Sequence, residues 1–361
     1  MILSRRPLLS AKTSLESATC LLCQWRSFSS SYRHLAEKPS TSKAPAPPSV
    51  PPTLGAAAPP TPPTPPPSTL EGVPRAYGQN VEEFTPKPLN RPIGLPNPPL
   101  AGENSGKDAR TLQQRRDDFV DYDKHLKRRK ELTHKVAKPY FREWSNMRFS
   151  KGKSFLAPPR LFKAERALFF PNLQGQTLLK DKKIRDTTPV FENKVSIVST
   201  FNTQWAENQV NTFVSEQSNP ELQEVVKGSG GVAQIVQINH EPNWMKAMIV
   251  KFFMYRLRKE RAAENWGRYF LVRKGFTEEM REAIGLLNSK VGYTYLLDGS
   301  CRIRWAGSGK AEDEEKEGLV KSVRRLVEEA NTKRKEKPGL PPKQAIEAKP
   351  VHNQKAVAST A

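Results

Sequence analysis

The sequence predicts an α/β protein whose mixed sheet carries helices on both faces, and three observations lead there. The stretch Gly292-Tyr-Thr-Tyr-Leu-Leu-Asp-Gly-Ser-Cys-Arg-Ile-Arg-Trp-Ala-Gly-Ser-Gly309 reads as a β-hairpin. A helix-period segment, Ala311 to Ala330, follows it. Upstream, apolar strand-like runs alternate with helical ones in the order β-α-β-α-β-α-β-β-α. A hairpin closed by a C-terminal helix is how the thioredoxin-like fold ends. A long helix and a disordered N-terminal region are expected ahead of that domain.

In the hairpin, Tyr293 to Leu297 and Arg302 to Trp305 are rich in β-branched and aromatic residues, and Asp298-Gly299 is expected to supply the positive φ of a tight loop. Strict alternation puts Ile303 and Trp305 on one face, packed, and Arg302 and Arg304 on the other, facing water or a partner. The following helix begins with Glu312, Asp313, Glu314 and Glu315 and later carries Lys321, Arg324 and Arg325, an order that suits the helix dipole. Leu319, Val320, Val323, Leu326 and Val327 form its apolar stripe.

With 361 residues the chain could hold two domains, but 32 prolines and 36% hydrophobic residues leave much of it unpacked, so one core domain is expected. The formal charge of +22 favours anionic partners: nucleic acid, anionic membrane or acidic protein. Three cysteines, Cys20, Cys23 and Cys301, do not make a disulfide framework.

Residues 1–33 are basic, serine-rich and nearly free of acid, as a mitochondrial transit peptide is, and Arg26-Ser-Phe-Ser-Ser resembles a matrix cleavage site that would start the mature chain near Phe28 to Ser31. Cys20-Leu-Leu-Cys23 has redox spacing but lies in the part to be removed. Residues 34–107 read as a proline-rich disordered tether, with polyproline II around Pro59 to Pro67. Residues 108–166 read as a basic helix and a wrapping segment. Leu112, Phe119, Tyr122, Leu126, Leu132 and Val136 fall near one face of a long helix that Pro139 ends. Lys124, Lys127, Arg128, Arg129, Lys130 and Lys135 make its other face basic, either solvated or docked on anionic lipid or an acidic partner.

Residues 167–335 read as the globular domain and 336–361 as a disordered tail. Strands are expected at Val190 to Phe201, Gly231 to Asn239 and Arg268 to Arg273, with helices from Asn202 to Glu216 and from Thr277 to Leu287. Between the second and third of these strands Asn243 caps a helix from Trp244 to Arg261 that carries Met245, Met248, Ile249, Phe252, Phe253 and Tyr255 and then Arg256, Arg258, Lys259 and Arg261. Lys246 and Lys251 interrupt it, so it does not span a membrane. Packing on the sheet is the first expectation for its apolar side; gripping an apolar client helix is the second, since Met side chains adapt to irregular partners, and lipid contact the third.

The reactive thiol of thioredoxin-like enzymes sits at the helix N-terminus after the first central strand, where dipole and N–H groups stabilise thiolate. Here that turn, Phe201 to Gln209, has no cysteine, and Trp205 marks the place. Cys301 has no resolving thiol nearby in sequence, Gly228-Ser-Gly-Gly231 lacks the Lys-Ser/Thr of a P-loop, and His34, His125, His134, His240 and His352 have no metal-ligand spacing. No enzyme activity, cofactor or metal is expected.

Ala167-Leu-Phe-Phe-Pro-Asn-Leu-Gln-Gly175, Ile238-Asn239, Trp266 through Phe270, Gly292-Tyr-Thr-Tyr-Leu-Leu-Asp298 and Ile303-Arg-Trp-Ala-Gly307 resemble the mitochondrial ATP synthase assembly factor family called "ATP ten". The resemblance covers roughly residues 110–330 and implies a non-catalytic chaperone, peripheral on the matrix side of the inner membrane. Its implied partners are newly made subunit 6 of the membrane sector and the ring of subunit c. Trp205, Met248, Phe252, Phe253, Arg256, Arg302 and Arg304 are the candidate partner-binding residues. The alternative function is a mitochondrial ribosome-associated or RNA-binding protein, favoured by charge and by aromatic residues beside basic ones at Tyr140, Phe141, Arg142 and Trp144, although nucleic acid is the less expected partner.

Overall fold

The computed structural model of the chain describes residues 68–336 apart from 78, 79, 109, 138 and 140. The expected transit peptide with Cys20 and Cys23, the polyproline run, Tyr140 and the expected tail beyond residue 336 lie outside the described residues.

Seven strands form one sheet in the order β2-β1-β5-β4-β3-β6-β7. In chain order these are β1 (Gln174–Thr177), β2 (Ile184–Asp186), β3 (Val195–Phe201), β4 (Ala233–His240), β5 (Tyr269–Val272), β6 (Tyr293–Leu297) and β7 (Ile303–Ser308). The helices are α1 (Leu112–Val120), α2 (Tyr122–Ala137), α3 (Arg142–Asn146), α4 (Thr188–Phe191), α5 (Gln204–Val214), α6 (Pro220–Gly228), α7 (Trp244–Glu260), α8 (Glu278–Ala283) and α9 (Asp313–Glu336). The centre is parallel, β3 beside β4 beside β5, with Val198 opposite Val236 and Ile238 opposite Phe270. Antiparallel pairs flank it, β6 on β3 and β1 on β5. A parallel β-α-β centre that ends in an antiparallel hairpin and a covering helix is the thioredoxin-like arrangement, and the fold is of that class.

Alternation along the central strands divides the core in two. Val198, Val236, Ile238, Phe270, Tyr293 and Tyr295 point to one face, where Phe155, Phe170, Phe191 and Ile284 meet them. Val195, Ile197, Leu296 and Trp305 point to the other, covered by α5, α6 and α9 through Phe213, Leu222, Leu319 and Val323. Next to this second layer, Phe201, Tyr269 and Leu271 meet Val210 of α5 and Met254 of α7. The shorter α4 and α8 lie on the first face, so helices sit on both sides of the sheet, unequally.

Five expectations about the fold change. The strand expected from Val190 begins at Val195, because Thr188-Pro-Val-Phe191 forms a helical turn with proline in its first turn. The single long helix is two: Asp121 has extended backbone (φ −68°, ψ 111°), and its Oδ1 accepts from the N–H groups of Asp123 and Lys124, starting α2 afresh. The hairpin loop takes its positive φ at Cys301 (63°) rather than at Gly299, and Asp298 Oδ1 accepts from the N–H groups of Ser300 and Arg302, each at 3.0 Å.

The fourth concerns the facing of β7. Leu297 pairs with Ile303 and Leu296 with Trp305, so Arg304 is an extra residue, a β-bulge. One inserted residue reverses the period-two alternation, and Ile303 and Trp305 therefore enter opposite core layers. Trp305 is still packed, 1% exposed and edge-on to Phe213 at 5.9 Å.

The proline-rich tether does not extend to residue 107. Residues 68–107 lie as a strap on the first face of the sheet, burying Val73, Ala76, Leu89 and Ile93. Proline lacks an N–H, but its neighbours bond for it: Leu89 N–H to the Leu156 carbonyl (3.0 Å), Gly94 N–H to Ala283 (2.8 Å) and Leu95 N–H to Phe169 (2.8 Å). Gly94 has φ +139° and lies against Leu168, where a Cβ would come within 2.8 Å, so glycine is required.

Candidate functional site

Where β3 ends at Phe201 the chain turns through Asn202 and starts α5 with Thr203 as N-cap, its hydroxyl accepting from Ala206 N–H at 3.1 Å. This is the turn that carries the thiol in thioredoxin-like enzymes, and here it presents Gln204 and Trp205. Trp205, exposed by 36%, lies by Gly152, near Val291. Gly292, beside it in sequence, lies against α5 so tightly that a Cβ would come within 2.4 Å of the Ala206 carbonyl oxygen.

A groove of about 570 Å³ runs between this turn and α7. Ile249, Phe253, Arg256 and Glu260 of α7 form one wall, and Asn202, Gln204 and Glu207 the other. Its floor holds Asn239 and Tyr269, with Asn239 Nδ2 donating to the Tyr269 hydroxyl at 3.0 Å. Arg261 lies 5.0 Å from the Tyr269 ring centre, donates twice to Gln237 Oε1 and reaches Glu207 Oε1 at 3.4 Å. Burial pushes Glu207 above the usual carboxylate range, against the opposing charge of Arg261, and pushes the Tyr269 hydroxyl up to about 12. Asn202 and Asn239 each hold a buried side-chain carbonyl oxygen that accepts nothing among the described residues. Such a site offers apolar contact and hydrogen-bond acceptors. No cysteine is among its lining residues.

Helix α7 does not pack as first expected. Ala247 and Met254 are buried and Val250, Leu257 and Arg258 half-buried, which accounts for one side of the helix. Trp244, Met245, Met248, Ile249, Phe252, Phe253 and Tyr255 are all more than half exposed, Phe252 by 81%. Isolated exposed apolar residues are ordinary, but seven on one 17-residue helix form a surface of the kind that meets a partner. At 100° per residue the exposed arc has two sides: Ile249, Phe253 and Arg256 face the groove, while Trp244, Met248, Phe252 and Tyr255 face away from it.

Of the candidate residues, Phe253 and Arg256 line the groove, Trp205 does not and instead lies by Gly152, and Met248 and Phe252 lie on the outer side of α7. Arg302 and Arg304 do not belong with them. Arg304 is 4% exposed; its Nε donates to the Phe162 carbonyl at 2.6 Å and its Nη1 reaches Asp298 (3.5 Å) and Glu329 (3.3 Å). Arg302 donates to the Ala164 carbonyl at 2.5 Å and lies over the Phe169 ring. The bulge turns Arg304 inward, and a segment from Phe162 to Phe169 covers both arginines at the edge expected to face a partner. Asn239, Tyr269 and Glu207 were not among the candidates, although Gln237 and Asn239 alternate as polar residues in an otherwise apolar strand and signalled a polar patch.

Cys301, the remaining thiol, is buried in the hairpin loop. Burial, with Glu192 and Asp298 adding to it, pushes its thiol up to about 12, far from a reactive thiolate. Among the described residues no cluster of His, Cys, Asp and Glu could hold a metal, and no helix is long and apolar enough to cross a membrane.

A model of the ATP10 protein family matches residues 76–326, which include both walls of the groove. The mitochondrial ATPase complex subunit ATP10 of Eremothecium gossypii is 30% identical over 251 residues, covering 68% of this chain and 88% of its own length. That of Saccharomyces cerevisiae is 29% identical over 256 residues, with 68% and 88% covered. Among solved structures, a secreted thiol-disulfide isomerase from Corynebacterium glutamicum overlaps 46% of this chain and 90% of its own, at 12% identity and a TM-score of 0.32.

Proposed function

This chain belongs to the ATP10 protein family, and from that premise we propose that the protein, a mitochondrial ATP synthase assembly factor, holds newly made subunit 6 of the membrane sector without turnover and delivers it to the ring of subunit c. It acts from the matrix side of the inner membrane, attached peripherally.

The observation that carries this reading is the groove between α5 and α7. At the position where a thioredoxin-like enzyme holds its thiol, this chain has none; beside it stands an exposed wall of Ile249 and Phe253. An apolar helix laid along that wall gains area removed from water at roughly 25 cal/mol per Å². The acceptors on Asn202 and Asn239 lie where a client polar group would be desolvated.

A photo-crosslinker in place of Phe253, tested in isolated mitochondria during translation, should give an adduct with radiolabelled subunit 6. The same group at exposed Lys321 on α9 should give none. Equal labelling from both positions, or none from Phe253, overturns the assignment of the groove to the client.

A further inference from the structure

The outer side of α7 turns away from the groove and needs a partner of its own. Trp244, Met248, Phe252 and Tyr255 lie there, exposed by 60%, 58%, 81% and 65%, with Lys251 and Lys259 between them, the Lys259 ammonium 4.7 Å from the centre of the Tyr255 ring. The helix has five basic residues, Lys246, Lys251, Arg256, Arg258 and Lys259, and one acid, Glu260. Arg256 pairs with that acid at 2.9 Å, while Arg258 turns inward and donates to the Leu178 carbonyl at 2.5 Å. That last bond sets the β1–β2 loop beside the C-terminal end of α7. Lys180, Lys182 and Lys183 are exposed on this loop, and its acid, Asp181, is engaged by Arg185 at 2.5 Å.

From this we propose that the outer face of α7 lies in the headgroup region of an anionic bilayer, its Trp, Met, Phe and Tyr side chains at the acyl boundary, with Lys251, Lys259 and the Lys180–Lys183 loop on the phosphates. The proposal rests on the peripheral placement proposed above. A tryptophan and a tyrosine, each with an apolar body and a polar tip, suit the interface, and long lysine side chains reach from it to the headgroups. An apolar client helix alone would leave the lysines without counter-charge; an anionic lipid surface meets both features. The helix lies on the membrane and does not cross it, since Lys246 and Lys251 divide its apolar run. The groove side, with Ile249 and Phe253, would then stay open beside the bilayer, where a membrane-embedded client emerges.

Sedimentation of the full chain with vesicles tests this. The protein should bind vesicles of phosphatidylcholine with cardiolipin and bind phosphatidylcholine alone much more weakly. Met248→Gln with Phe252→Gln should lower binding roughly tenfold or more, because both side chains leave the acyl boundary. Changing Lys180, Lys182 and Lys183 to Gln should lower binding to the cardiolipin vesicles several-fold and leave the weaker phosphatidylcholine binding unchanged. All of these side chains are exposed, so the thermal midpoint should stay at the parent value. Brominated lipid should quench the emission of Trp244, one of six tryptophans, and Trp244→Phe should abolish that quenching. The proposal is overturned if the parent does not bind cardiolipin vesicles, if the Met248/Phe252 variant binds as the parent does, or if Trp244 is not quenched. A Phe253→Gln variant separates the two readings: loss of the subunit 6 adduct with vesicle binding kept leaves the membrane face standing, whereas Met248/Phe252 changes that remove the adduct and keep vesicle binding assign the outer face to the client.

Discussion

Lys153 and Glu315 illustrate how single residues attach the segment that precedes β1 to helix α9. The Lys153 ammonium meets Glu315 Oε2 at 2.7 Å with both side chains nearly inaccessible, and Glu315 also accepts from the Ala157 and Glu312 N–H groups. Replacing Lys153 with Met would leave a buried carboxylate without its cation. Chemical denaturation should report a loss of ~3–5 kcal/mol, and adding Glu315→Gln should recover part of it. His240 gives the pH dependence at this scale. It lies edge-on to Phe276 at 5.0 Å, and burial, with Arg281 adding to it, lowers its pKa from 6.5 to about 3. The unfolded chain takes up a proton near 6.5 and the folded chain only near 3, so this contribution to stability is present above 6.5 and is lost as pH falls toward 3. Thermal midpoints measured through that window should fall less steeply in His240→Gln than in the parent; equal slopes would mean that another group carries the acid limb.

At the scale of elements, the hairpin with its bulge shows how one residue redirects a strand. Trp305→Ala should cost ~3–5 kcal/mol by opening a cavity against Phe213. Arg304→Gln should also destabilise, by ~1–3 kcal/mol or more, since the Phe162 carbonyl, Asp298 and Glu329 lose a buried donor. Denaturant midpoints of the two variants test the pair: a neutral Arg304→Gln would return Arg304 to an exposed face. Helix α7 behaves differently. It is anchored through Ala247, Val250, Met254 and Leu257, so its exposed residues can be changed with little effect on folding, and its sequence is free to serve recognition.

Across the whole molecule, the strap of residues 68–107 makes the domain larger than its sheet and helices. Ile93 is 4% exposed and packs in the core layer that contains Phe155 and Phe170. Ile93→Ala should therefore cost ~2–5 kcal/mol in a denaturant titration, where a disordered tether would register nothing. The family match, which begins at residue 76, includes residues 76–107 of this strap.

Much of the plan was legible in the sequence. Apolar runs at Val195 to Phe201 and Ala233 to Asn239, the hairpin and the acidic-to-basic terminal helix are local patterns whose burial follows from chemistry. The missing cysteine at the head of α5 was equally plain, because reactivity needs a thiol at one place. Tertiary structure decided the rest. Period-two alternation cannot foresee a bulge, so the facing of Arg304 and Trp305 relative to Ile303 depended on how β7 pairs with β6. Proline content measures what a segment cannot do in a ladder, not whether neighbouring N–H groups and apolar side chains find a surface, and residues 68–107 found one. The sequence of α7, whose apolar residues are spread around the helix among five basic ones, reads equally as a buried helix or an exposed binding surface. Only the packing of the sheet, which covers one side of α7 and leaves the other bare beside a cysteine-free groove, distinguished the two.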